Sequence, residues 1–287
     1  MGVARRTQFS SNLEASSVQS PEYDRRTPYR LQLESLRRQK VQLLQALACL
    51  IAVIYVAVSV ASGFSSEVLI PFKPLPICLM LLMVLIVADG RAYGAWIARG
   101  LALGAMGNII LELELANVIP GAPLFPIGIC CFLLGHCCYA RAFLANSIVL
   151  SFFTAAPPLA CAAIIFNMLQ PSLSTEMKGL ILIYATVIAC TMVLAFARKP
   201  EGVAVQWSWS CASSGTIFFT VASTVLGYDR FVGSFPHGRQ AATSIYYIAQ
   251  YLIAMSTRGA QPRPLSKSHG SVENFAKGQS FRVDDEQ

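Results

Sequence analysis

The chain has 287 residues, 55% of them hydrophobic and only 13% charged, with a formal net charge of +7. That balance excludes a water-soluble domain as the bulk of the chain and describes an integral membrane protein. The basic excess sits mainly in the two terminal stretches, eight residues before position 44 and five after 256. It therefore reads as a topology signal, and no nucleic-acid partner is expected.

Residues 1–43 are rich in Arg, Ser and Gln and are predicted to be largely disordered until about Leu31, where leucines among charges suggest a short juxtamembrane helix. Met1-Gly2 resembles a myristoylation start, but Arg6 stands where that pattern needs Ser or Thr. The first apolar run begins at 44, too late for a cleaved secretory leader, and is expected to anchor the chain. Eight apolar stretches approach the roughly 20 residues that a helix needs to cross a bilayer: 44–62, 75–88, 93–116, 122–143, 147–166, 178–197, 207–227 and 241–256. The predicted fold is an all-α integral membrane bundle of eight transmembrane helices over 44–256. Residues 257–287, polar with Pro262 and Pro264, are predicted to be a second disordered tail. Arg91, Arg141, Arg198 and Lys199 would share the cytosolic side with both tails, leaving Lys73, Lys178, Arg230 and Arg239 opposite. The expected location is an endomembrane, such as the endoplasmic reticulum.

Polar residues within these spans are the candidates for function. Lys73-Pro74-Leu75-Pro76 opens the second span, where a Lys can hold a phosphate or simply snorkel. The third span carries Asn108 and Glu112, four apart and on one face, with Glu114 off that face. In the fourth, His136 interrupts an uncharged apolar run, and an ionisable residue in hydrocarbon usually lines a cavity or pathway. A neutral His bonded to a backbone carbonyl is the plainer alternative. Cys130, Cys131, Cys137 and Cys138 gather on one helix face, roughly 160° from His136, so one helix cannot close them into a metal site and none is expected. Tyr139 does share the face of His136. Pro157-Pro158 removes two backbone donors from the fifth span and predicts a kink. Hydroxyl residues along the seventh, including Thr224, suit helix contacts, and Tyr246, Tyr247 and Gln250 on the eighth can bind a polar head or bond across the bundle.

Together these segments resemble the lysoplasmalogenase family, also called the YhhN family, over roughly residues 72–256. The resemblance rests on Lys73-Pro74-Leu75-Pro76, on Gly104 to Asn108, and on Phe132-Leu133-Leu134-Gly135-His136-Cys137-Cys138-Tyr139. It continues through Tyr184, Gly215-Thr216-Ile217-Phe218-Phe219 with Ser223-Thr224, and Tyr246-Tyr247-Ile248-Ala249-Gln250. It implies eight helices and hydrolysis of the vinyl ether of lysoplasmalogens to a fatty aldehyde and glycerophosphoethanolamine or glycerophosphocholine. No cofactor is implied, and the partner would be membrane lipid, a lysoplasmalogen or related lysophospholipid. Lys73 would meet the phosphate, while His136, Tyr139, Tyr184, Tyr246, Tyr247 and Gln250 would line a polar pocket. The family places one aspartate in the third span and one in the seventh; here those positions are Asn108 and Thr224. Glu112, one turn and roughly 6 Å along the helix from Asn108, is the nearby carboxyl that could substitute. Without an acid the same pocket would belong to a lipid-binding or regulatory member. A transporter would want charged pathway residues or broken helices beyond the one Pro-Pro pair.

Overall fold

The computed structural model describes residues 22–61, 69–88, 91–199 and 202–259. Among them lie eight α-helices: α1 (Glu22–Ala61), α2 (Leu75–Ala88), α3 (Ala92–Leu115), α4 (Leu124–Phe143), α5 (Phe152–Leu169), α6 (Thr175–Ala197), α7 (Val203–Phe231) and α8 (Gly238–Met255). Six of them, all but α2 and α8, are long and apolar enough to cross a membrane. The chain is an all-α integral membrane bundle. Helix α2 is apolar but has only 14 residues. Helix α8 has 18, and its polar side chains, buried Thr243, Tyr246, Tyr247 and Gln250, dilute the hydropathy that marks the others.

The chain forms two compact units, Met1–Leu43 and Leu44–Gln287. The first contains the start of α1, which is already helical from Glu22, ahead of the Leu31 expected from composition. Its described side chains are mostly exposed, and Glu34 and Arg38 form an i,i+4 pair at 3.9 Å. The second unit holds everything that follows. The expected tail beyond 259 lies outside the described residues, as do residues 1–21.

Two helix boundaries depart from the apolar runs for identifiable reasons. Residues 147–149 are apolar or small but extended, because Val149 N–H donates to Ala197 O (2.7 Å) and Lys199 N–H to Ser147 O (2.9 Å). Helix α5 therefore starts at Phe152, capped by a reciprocal Ser151–Thr154 box. Pro157 and Pro158 both lie inside α5 as a single unbroken helix. Helix α7 runs past the apolar stretch to Phe231 and carries Tyr228, Asp229 and Arg230 with it.

Small residues bring the helices together, as expected where lipid offers no hydrophobic drive for helix association. A Cβ on Gly135 of α4 would stand 3.2 Å from Gly100 O of α3. On α7, a Cβ at Gly215 would meet Ile253 N at 3.0 Å and Ala249 O at 3.1 Å on α8. Gly215→Ala is expected to push α7 from α8 and lower stability by about 1–3 kcal/mol. An unchanged thermal midpoint in detergent would contradict this close packing.

At one end of the bundle, Arg198 follows α6 and is 2% exposed. Its Nη1 donates to Tyr93 Oη (3.1 Å) and Ser208 O (3.3 Å), and its Nη2 to Ser208 Oγ (2.9 Å). Tyr93 Oη lies 2.7 Å from Ser256 Oγ, and the guanidinium also sits 5.0 Å from the Tyr93 ring. One side chain thus ties the starts of α3 and α7 to the end of α8 through neutral oxygens and an aromatic face.

Candidate functional site

The other end of the bundle opens into a cavity of about 320 Å³. Its α5 and α6 wall is largely apolar, built from Pro158, Ala162, Ile165, Leu169, Ile181, Ile188 and Met192. Polar groups come from α3, α7, α8 and the turn before α2: Lys73, Asn108, Glu112, Glu114, Thr224, Asp229, Arg230, Arg239 and Tyr246. A space with one greasy wall and a few convergent polar groups is the usual form of a ligand site.

Lys73 and Glu112 form a buried ion pair, with side-chain exposures of 7% and 5%. The Lys73 backbone is pinned from α8, because Tyr247 Oη donates to Lys73 O at 2.7 Å. Helical spacing places Glu112 one turn beyond Asn108, so the same face of α3 presents both to the cavity. The Asn108 amide donates back to Gly104 O (3.1 Å), and Thr224 Oγ1 donates to Thr220 O (2.8 Å). Both side chains therefore spend a donor on their own helix. Tyr184 Oη lies 3.2 Å from Ser223 Oγ, joining α6 to α7 on the cavity wall. Tyr246 is buried, and its hydroxyl lies close to the Asn108 and Gln250 side chains without a well-formed hydrogen bond among the described residues.

Of the residues singled out in the sequence, Lys73, Asn108, Glu112, Tyr184, Thr224 and Tyr246 converge on this cavity. His136, Tyr139, Tyr247 and Gln250 are not on its lining. His136 is 1% exposed and lies edge-on to Phe219, with ring centroids 4.1 Å apart, and to Tyr139 at 5.6 Å. Phe219 lines the cavity, so His136 stands one ring behind the wall. Neither of its ring nitrogens has a hydrogen-bond partner among the described residues. Tyr139 Oη donates to Gln250 Oε1 at 2.6 Å, a bond across α4 and α8 that supports the wall from outside.

Asp229 falls in no predicted span, and Glu114, Arg230 and Arg239 are expected outside the candidate site, yet all four line the cavity. Arg230 grips Glu114 with two bonds, 3.1 and 2.7 Å, and lies 3.8 Å from the Phe125 ring. Asp229 Oδ1 accepts from Phe235 N–H (3.2 Å) and Ser234 Oγ (3.3 Å), holding the turn into α8. The signal available was the run of charge just past Gly227, where hydropathy ends the span and the helix does not.

The profile of the YhhN family matches residues 68–257. The chain belongs to the YhhN family. The matched stretch of this YhhN protein contains α2 to α8 and every residue of the cavity lining. It is 27% identical over 158 residues to lysoplasmalogenase TMEM86A of Homo sapiens, covering 55% of this chain and 62% of that one. The match to the Bos taurus protein of the same name has the same identity and coverage. Lysoplasmalogenase TMEM86B of Sus scrofa is 27% identical over 188 residues, covering 64% and 73%. The chain thus spans somewhat less than two thirds of the TMEM86A relatives. No solved structure matches it.

Proposed function

We propose that this protein takes a lysoplasmalogen, or a closely related lysophospholipid, into the cavity and hydrolyses its vinyl ether bond. Glu112 is the observation that carries this reading: a buried carboxylate on the cavity wall, one turn from Asn108, paired with Lys73. The names of the TMEM86 relatives and the apolar wall suited to a single chain support it. The same reading counts α2 and α8 as spans, which makes eight and leaves both termini on the cytosolic side of an endomembrane.

The lipid phosphate competes with Glu112 for Lys73. Once Lys73 turns to the phosphate, Glu112 is released from its ion pair and acts, as the protonated carboxyl, as the general acid. The carboxyl delivers its proton to the vinyl carbon, whose double-bond electron pair forms the new C–H bond. A lone pair on the ether oxygen stabilises the resulting oxocarbenium ion. Water adds to this cation as Glu112 takes up one of its protons, and the hemiacetal then breaks its C–O bond to the glyceryl oxygen. The hemiacetal proton passes to that oxygen, and the aldehyde remains. Asn108, Thr224 and Tyr246 hold the water and the glyceryl oxygens in place.

Aldehyde release from a lysoplasmalogen by the purified protein in nanodiscs, followed by a coupled dehydrogenase, tests the reading. Release above the protein-free background is expected, falling about 100-fold or more in Glu112→Gln, the scale of a lost general acid. No release, or release indifferent to that substitution, would sink it. A second reading, a lipid-binding member without turnover, is favoured by the way Asn108 and Thr224 bond their own helix carbonyls. It expects saturable lysophospholipid binding and no aldehyde.

A further inference from the structure

Three cations and three carboxylates line the cavity, and their pairing is incomplete. Lys73 is matched by Glu112, and Arg230 by Glu114. Arg239, exposed at the start of α8, has no carboxylate partner among the described residues, and Asp229 has no cationic one. The two are of opposite sign and line the same cavity, yet no ion pair joins them. Asp229 is held in place: Oδ1 takes both loop donors and packs so closely on Gly238 that a Cβ there would overlap it. Its Oδ2 receives neither of those bonds.

One ligand class supplies both missing partners at once. We propose that Asp229 and Arg239 form a headgroup-reading site for a zwitterionic phospholipid head, Arg239 sharing the phosphate with Lys73 and Asp229 receiving the ammonium. The inference rests on the reading that the cavity takes a lysophospholipid, and it adds which residues choose the headgroup. A head carrying phosphate alone satisfies Arg239 but leaves Asp229 facing like charge. A head without phosphate leaves Arg239 unmatched. Discrimination among heads by such complementarity is the common use of charge at a binding site.

The test is binding to the purified full chain in nanodiscs, with three single-chain probes: an ethanolamine lysophospholipid, a lysophosphatidic acid and a monoacylglycerol. Wild type is expected to prefer the ethanolamine lipid to the phosphate-only lipid by about tenfold, the scale of one charge-assisted contact. Asp229→Asn, which keeps an acceptor for Phe235 and Ser234, should erase that preference, and Asp229→Lys should reverse it. Arg239→Gln should weaken both phosphate lipids and leave the monoacylglycerol unchanged. If wild type binds the lysophospholipids without preference, or Asp229→Asn and Asp229→Lys keep it, the headgroup site is wrong and the lipid cavity stands. If wild type binds none of the three probes, the functional reading falls together with this one.

Discussion

Placing carboxylates at the two positions where the family resemblance puts aspartates, Asn108→Asp with Thr224→Asp, is expected to raise aldehyde release from lysoplasmalogen by about 10²–10⁴-fold over a wild type in which Glu112 alone stands in for them, the range general acid–base catalysis supplies. Both side chains already line the cavity, so no backbone rearrangement is required. Asp is isosteric with Asn108, which is 5% exposed on α3. It would gain a donor in the Tyr246 hydroxyl, which makes no well-formed hydrogen bond of its own among the described residues. At 224 the substitution trades a hydroxyl bonded to Thr220 O for an acid at the cavity surface. Two carboxylates facing one space couple, so each single variant should recover much less than the pair. A double variant no faster than wild type would show that Asn108 and Thr224 do not occupy the acid and base positions.

The second large effect concerns stability. Lys73→Met and Glu112→Leu are each expected to cost about 3–5 kcal/mol, because each leaves one buried charge uncompensated. Combined, they remove both charges from an apolar setting, and the double variant should be close to wild type or more stable by about 1–4 kcal/mol. Thermal unfolding in detergent reads all four proteins. The bond from Tyr247 to the Lys73 carbonyl does not depend on the Lys side chain, so the turn before α2 is retained throughout. Losses that simply add in the double variant would mean that the two charges do not compensate each other. The folded double variant also separates catalysis from stability, since it lacks the carboxylate while keeping the bundle.

Much of this architecture was legible from hydropathy. Helix α2 occupies Leu75–Ala88 as read, because Pro74 precedes it and Asp89-Gly90 follow it in the sequence. The reading failed where an apolar or polar label says nothing about what a side chain faces. Val149 is apolar but extended, because its N–H bonds the end of α6 and not a helix turn. Asp229 and Arg230 are charged but helical, because they line the cavity and do not face lipid alone. The same ambiguity applies to His136. Its place in an apolar run says that it is out of water, not that it meets a ligand, and two aromatic rings, Tyr139 and Phe219, flank it. Lys73 and Glu112 were each visible as candidates. Their pairing was not, since 39 residues separate them and nothing local encodes the contact.

The Arg198 cluster gives the bundle a directional stability. At that end the guanidinium is 2% exposed and bonded to carbonyl and hydroxyl oxygens, contacts that dissolved salt barely reaches. At the opposite end the Arg230–Glu114 bond joins two charges that are 35% and 26% exposed, where ions screen the attraction. Loosening under ionic stress therefore begins at the end of the bundle that holds the cavity and meets a fixed floor at the other end.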